Sequence, residues 1–291
     1  MSIPMNTECL LCHMKSNVTM ARSLGDEQTA MKFAKELMQL HLNMPGGASS
    51  ALLGPPTDAL LVKYYGLRPD RYKEEKAQSN RFVLERLDQL RQRVKAAPDP
   101  VYAGLQFSIL GNYLDFSALR GQVSFEKLDE MLEEALEMEL DRDCYRQFCQ
   151  ELSKGTSLLY VTDNAGEIGF DRIFAEVLSE TYPQLRIIFC VRGKIAQNDA
   201  TREDAQLVGI PFPVIDNGSD IAGTELSLIS PEAKEALQAA DVVIAKGMGN
   251  TETLWGCGYN VYYAFLVKCA RFVTCFRKPL MTPIFVREKK Q

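Results

Sequence analysis

Three short polar clusters carry the chemistry that can be read directly from this chain: Asp163-Asn164-Ala165-Gly166-Glu167, Asn198-Asp199-Ala200-Thr201 and Lys246-Gly247-Met248-Gly249-Asn250. Asp163, Asn164 and Asp199 are hard oxygen donors, suited to Mg²⁺, Mn²⁺ or Co²⁺ rather than to a thiolate-loving ion. Two carboxylates and one amide leave a divalent ion with net positive charge and open positions. That is the condition for polarising a phosphoryl oxygen and holding a nucleophilic water. Lys246 and the glycine-rich turn after it offer a cation and backbone N–H groups to phosphate oxygens. Each cluster alone also has a plain structural reading. Asp163-Asn164 and Asp199 are acceptable helix N-caps, and a glycine turn is often only a turn. Asp216-Asn217-Gly218 is a turn sequence of the same kind.

Position separates the two readings. After Gly155 the chain alternates short Val- and Ile-rich runs with helical segments. Strands are expected at 157–162, 186–191, 212–215, 241–245 and 271–276, and helices at 165–180, 201–208, 231–239 and 262–269. This rhythm predicts a mostly parallel sheet covered on both faces, a Rossmann-like α/β domain over 155–291. Each polar cluster follows a strand, and ligands bind outside the carboxyl ends of strands in such sheets. Their coincidence at one edge favours a site over separate caps and turns.

The first 154 residues read as an all-helical domain, with helices at 26–42, 57–65, 69–97, 101–110, 125–140 and 143–152. Met131, Leu132, Leu136 and Leu140 fit a core stripe, and Glu130, Glu133, Glu134, Glu137 and Glu139 a solvated face. The chain has only two histidines, His13 and His41, so a His-rich zinc site cannot be built. A net charge of −5 argues against nucleic acid, and no apolar run is long enough to suggest a membrane span. Without a recognisable secretory signal, the expected location is the cytoplasm. Eight cysteines in such a chain are expected to be reduced or metal-bound, with Cys190 a small buried hydrophobe. Cys9 and Cys12 form a single CxxC, open to inert, redox or zinc roles.

The three clusters, in this order, resemble the metal-dependent damage-control phosphatases, also known as domain of unknown function 89. Gly111-Asn112-Tyr113-Leu114-Asp115-Phe116 resembles that family's Gly-Asn-x-x-Asp segment, and Cys9-Leu10-Leu11-Cys12 the cysteine pair of its prokaryotic members. The resemblance implies that Asp163, Asn164 and Asp199 hold Mn²⁺, Co²⁺, Ni²⁺ or Mg²⁺. It implies a substrate pocket lined by Lys246, Gly247, Met248, Gly249 and Asn250, with Glu167 and Asn198 from the other two motifs. Asn112 and Asp115 would reach in from the helical half, and Lys268 would lie near the phosphate. The implied activity is hydrolysis of small phosphorylated metabolites such as sugar phosphates, with Asp163 and Lys246 catalytic. Water attack and a phospho-aspartate on Asp163 are both open.

Two rival readings fit less well. A haloacid-dehalogenase-type phosphatase needs a second Asp two residues after the first, and Ala165 stands there. A nucleotide-binding or methyltransferase-type Rossmann-like protein needs Gly-x-Gly-x-x-Gly after the first strand, where this chain has one glycine and a carboxylate.

Overall fold

A computed structural model describes residues 3–68, 70–119 and 122–288. Pro69, the expected start of the third helix, and the last three residues of the expected α/β domain lie outside the described residues. Among the described residues seven α-helices precede the sheet: α1 (Thr7–Leu24), α2 (Glu27–Leu42), α3 (Gly54–Tyr65), α4 (Lys73–Ala96), α5 (Pro100–Gly111), α6 (Phe125–Glu133) and α7 (Arg142–Lys154). The α/β part runs β1 (Ser157–Val161), α8 (Glu167–Thr181), β2 (Arg186–Val191), α9 (Arg202–Leu207), β3 (Val214–Asp216), α10 (Pro231–Ala239) and β4 (Val242–Lys246). It ends with α11 (Gly247–Leu254), β5 (Val261–Leu266), α12 (Ala270–Phe276) and β6 (Pro283–Arg287).

The six strands lie in the order β3-β2-β1-β4-β5-β6, parallel except for β6. The chain leaves β1 towards one side, through β2 and β3, and returns on the other side at β4. The β1–β4 seam is therefore the topological switch point, where this class of sheet opens a crevice for ligands. Alternate strand residues face opposite layers. Leu158, Tyr160, Phe189 and Ile244 pack with α4, α5, α7 and α8, while Leu159, Val161, Val243 and Phe265 pack with α10, α11 and α12. Helices α4 to α7 thus share one apolar interior with a face of the sheet, whereas α1 to α3 bury a smaller cluster around Phe33 and Leu37.

Helix α5 is the pivot of this arrangement. Asp99 caps it, Pro100 opens it, and every residue from Val101 to Gly111 is buried, as expected of a helix apolar all round. Gly104 and Gly111 let α5 press onto α8. A Cβ at residue 104 would stand 2.8 Å from Phe174 Cδ2, and one at residue 111 would stand 2.7 Å from Phe170 Cδ2. The helix ends at Asn112, delivered into the crevice.

Two expected elements exchange types. Residues 262–269, expected as a helix, supply most of β5, and residues 271–276, expected as a strand, form α12. Val261 to Leu266 is buried on both faces, so its aromatic run shows no alternation. In α12, Phe272 and Phe276 fall one helical turn apart and stack. Helix α1 and the antiparallel edge strand β6 were not foreseen, and the helix expected to reach residue 140 stops at Glu133. Leu132 and Leu140 are buried as expected, but Leu136 is exposed. Trp255 packs on Tyr263 and Phe276, and Cys190 is buried. No helix among the described residues is long and apolar enough to cross a membrane.

Candidate active site

Asp163 and Asn164 follow β1, and Asp199 lies in the loop after β2. Main-chain bonds from Ala165 N to Asn198 O (2.9 Å) and from Ala200 N to Asp163 O (2.7 Å) pin the two loops together. One guanidinium reaches both carboxylates. Arg192 Nε donates to Asp199 Oδ2 at 2.6 Å, and Nη2 lies 3.8 Å from Asp163 Oδ1. Asp163, Asn164 and Asp199 therefore converge, and all three are buried.

The roof comes from the helical half. Asn112 Nδ2 donates to Asp163 Oδ2 at 3.0 Å and to Glu167 Oε2 at 2.9 Å, while its Oδ1 accepts from Leu266 N. Lys268 Nζ donates to Asn112 O at 2.7 Å and to Asp115 Oδ2 at 2.6 Å. Asn198 Nδ2 donates to Leu114 O and to Asn164 Oδ1, bracing the β2 loop against residues 112–119. Ser117 Oγ also pairs with Gln197. All the sequence-predicted residues gather here, but not all present themselves to a ligand.

Lys246 is the clearest example. Its ammonium is fully buried and lies against Ser108 O, Ser108 Oγ, Asp171 Oδ1 (2.7 Å) and Glu167 Oε1 (3.0 Å). Three N–H donors meet four acceptors, so Lys246 is here the counter-ion of Glu167 and Asp171, with no donor left over. Asn250 is likewise internal. Its Nδ2 donates to Thr162 O and Lys246 O, and its Oδ1 accepts from Arg192 and Thr224. Gly247 and Gly249 act through what they lack. A Cβ on Gly247 would lie 2.0 Å from Asp163 Oδ2, and one on Gly249 would lie 2.2 Å from Ala222 O. Met248 Sδ accepts from Lys268 N.

The electrostatics are unbalanced. Asp115, Asp163, Glu167, Asp171 and Asp199 are buried, and Lys246, Lys268 and Arg192 oppose them, which leaves two negative charges in excess if all are ionised. Burial, and then the charges of Asp199, Glu167 and Asp115, push Asp163 well above the usual carboxylate range. Burial also raises Asp199 to about 6 despite Arg192, and Asp171 to about 6 despite Lys246. For Lys246, burial works against the charge, but Asp171 and Glu167 outweigh it and its pKa rises.

The donor set suits a hard divalent ion. The Asp163 and Asp199 carboxylates share the Arg192 guanidinium, the Asn164 amide donates to Asp163 Oδ2 at 2.8 Å while its Oδ1 accepts from Asn198, and the glycine at 247 leaves Asp163 its place. Among the described residues no three His, Cys, Asp or Glu side chains converge into a metal cage, and Asp163, Asn164 and Asp199 would supply two carboxylates and one amide. Among the described residues no thiol cage forms at the CxxC. Cys9 is half-buried with its thiol pushed up by burial, and Cys12 is exposed.

Arg192, Asp171, Ser108 and Thr224 were not foreseen. Arg192 carried a signal, since it follows β2 at the same edge as the polar clusters. Asp171 lies a helical turn beyond Glu167, on a face whose partner became evident only with the position of α5.

Crossing order and switch point define a Rossmann-like α/β protein with a buried acidic cluster roofed by helices. The comparisons narrow this to one family. Residues 5–280 match the damage-control phosphatase ARMT1-like domain, and the chain belongs to that family. It is 31% identical over 289 residues to the damage-control phosphatase PH1575 of Pyrococcus horikoshii, covering 97% of both chains. It is 32% identical over 280 residues to the uncharacterized protein MJ0202 of Methanocaldococcus jannaschii, covering 92% of this chain and 90% of that one. The crystal structure of PH1575, described as a DUF89 family protein, superposes with a TM-score of 0.83 at 27% identity, over 98% of this chain and 99% of the other.

Proposed function

We propose that this chain is a divalent-metal-dependent phosphatase acting on phosphomonoesters of small metabolites, sugar phosphates among them. One observation carries the reading: a buried side-chain cluster at the switch point, in which Asp115, Asp163, Glu167, Asp171 and Asp199 face Lys246, Lys268 and Arg192 with two surplus negative charges if all are ionised. Without an ion, protons must make up the deficit, as the raised carboxylates indicate. A cation of charge two would balance the cluster, and the relatives' phosphatase names support the phosphatase part of the reading.

Asp163, Asn164 and Asp199 would hold the ion, which supplies Lewis-acid polarisation of a phosphoryl oxygen and a bound water. Asn112 steers Asp163 by holding its Oδ2, leaving Oδ1 for a ligand. Glu167 fixes the Asn164 amide at 2.7 Å, and Lys246 pairs with Glu167 and Asp171 in the interior. Gly247 opens a helix whose positive end faces Asp163, favouring the carboxylate form and an incoming anion. The roof at residues 112–119 excludes water from the reacting centre.

Phosphate release from a panel of sugar phosphates, with Mn²⁺, Co²⁺, Ni²⁺ or Mg²⁺ and then with EDTA, tests the reading. Turnover that stops on chelation and returns with metal is expected, and Asp163→Ala should abolish both turnover and metal binding. Undiminished turnover in EDTA refutes it.

A further inference from the structure

Three cations stand near the proposed phosphate position, and they differ in how many of their donors are engaged. Lys246 is saturated by Ser108, Asp171 and Glu167. Lys268 is tied to Asn112 O and Asp115 Oδ2. Arg192, whose side chain is fully buried, donates through Nε to Asp199 Oδ2 (2.6 Å) and through Nη2 to Asn250 Oδ1 (3.0 Å). Its Nη1 is buried and has no partner among the described residues. The plane cannot swing to find one. Asn250 is itself held by Thr162 O and Lys246 O, and Arg192 N is bonded to Ala200 O.

A buried donor without an acceptor costs about 1–3 kcal/mol, and more when it is charged. Such an exception needs an explanation. An acceptor that arrives with the substrate supplies one. Arg192 also borders a cavity of about 650 Å³, shared with Asn80, Lys76, Lys194, Gln197 and Thr201, with room for the rest of a small metabolite.

We infer that Arg192, rather than Lys246, binds the transferring phosphoryl group, presenting Nη1 beside Nη2 to two of its oxygens, with the leaving group in that cavity. The inference rests on the metal-phosphatase reading and adds the phosphate ligand to it. A guanidinium matches phosphate geometry through a rigid fork and keeps its charge when buried. Arg192 also leans on Asp199, so its charge opposes a cation held there. Removing it therefore has effects of opposite sign on the two ligands.

The test is calorimetric binding of Mn²⁺ alone, and of inorganic phosphate with and without Mn²⁺, to wild type, Arg192→Gln and Arg192→Lys, with thermal melts confirming folding. Phosphate affinity is expected to fall about tenfold or more in Arg192→Gln, the equivalent of one charged hydrogen bond. Mn²⁺ affinity should be unchanged or higher, and Arg192→Lys should recover part of the phosphate affinity. Mn²⁺ and phosphate weakening together would mean that Arg192 only holds Asp199 in place, and the inference falls. Phosphate affinity that survives in Arg192→Gln overturns it as well. If Arg192→Gln does not fold, Arg192→Lys decides: a partial loss of phosphate affinity supports the inference, since a point charge paired with Asp199 cannot span two phosphoryl oxygens, and wild-type affinity overturns it. Arg192-dependent phosphate binding without Mn²⁺ binding would retain the inference and defeat the metal reading.

Discussion

Gly247→Ala offers the sharpest probe of the pocket. Gly247 has φ +78°, and an added Cβ would lie 2.0 Å from Asp163 Oδ2, 2.2 Å from Cγ and 2.7 Å from Oδ1. Side-chain methyl carbons do not approach within 3.0 Å, so the carboxylate must move by about 1 Å or more. Two costs follow, and they can be separated. The left-handed backbone costs about 1–2 kcal/mol of stability, or a few degrees in melting temperature for a chain of this size. Displacing the carboxylate should weaken Mn²⁺ binding about tenfold or more and lower kcat/KM about a hundredfold. Gly258→Ala is the control. Gly258 has φ +83° with nothing within 4 Å of the added carbon, so it carries the backbone cost alone. Mn²⁺ calorimetry, turnover of a sugar phosphate and thermal melting on both variants complete the comparison. If Gly247→Ala binds Mn²⁺ and turns over as well as Gly258→Ala, the placement of Asp163 as a metal ligand against Gly247 is refuted.

Two further expectations concern stability. Lys246→Met strips the counter-ion from buried Glu167 and Asp171 and should cost about 3–5 kcal/mol, lowering the melting temperature by roughly 5–10 °C; an unchanged melt would show that protons replace the lysine at little cost. His13 lies 3.0 Å from His41, and burial, then His41, lowers its pKa to about 4. The unfolded chain therefore takes up that proton first, and folding stability should fall as pH drops from about 6.5 to about 4, by at most about 3 kcal/mol. Urea unfolding across that range should show a shallower decline in His13→Gln, and equal slopes for the two chains would exclude His13 as the source.

The strands at Ser157 and Arg186 and the Asp163, Asp199 and Lys246 clusters were legible, because a parallel core strand is a continuous apolar run and the polar turn after it interrupts that run. The exchange between β5 and α12 was not, since a strand buried on both faces and a buried helix share the same composition. Convergence of Asp163 with Asp199 followed from topology alone. The roles within the site did not. Lys246 reads as a free cation until α5 brings Ser108 over it and α8 turns Asp171 towards it, and Asn250 reads as a ligand donor until Arg192 and Thr224 occupy its carbonyl. Sequence gives the residue types at an edge, but how many of their donors remain available depends on neighbours from distant segments.

Beside the site, two loop contacts are main chain laid against main chain. A Cβ at Gly193 would stand 2.3 Å from Gly218 Cα, and one at Gly223 would stand 2.7 Å from Gly249 O. Such contacts leave no room for a larger side chain, so they cannot be retailored without prising the loops apart. Variation in the metabolite accepted by chains built on this plan should therefore be written in the half-buried end of the overlying span, Ser117 to Leu119, and in the rim of the adjoining cavity, while these contacts stay constant. A library that randomises these contacts should yield unfolded protein, and one that randomises Ser117 to Leu119 should yield altered selectivity.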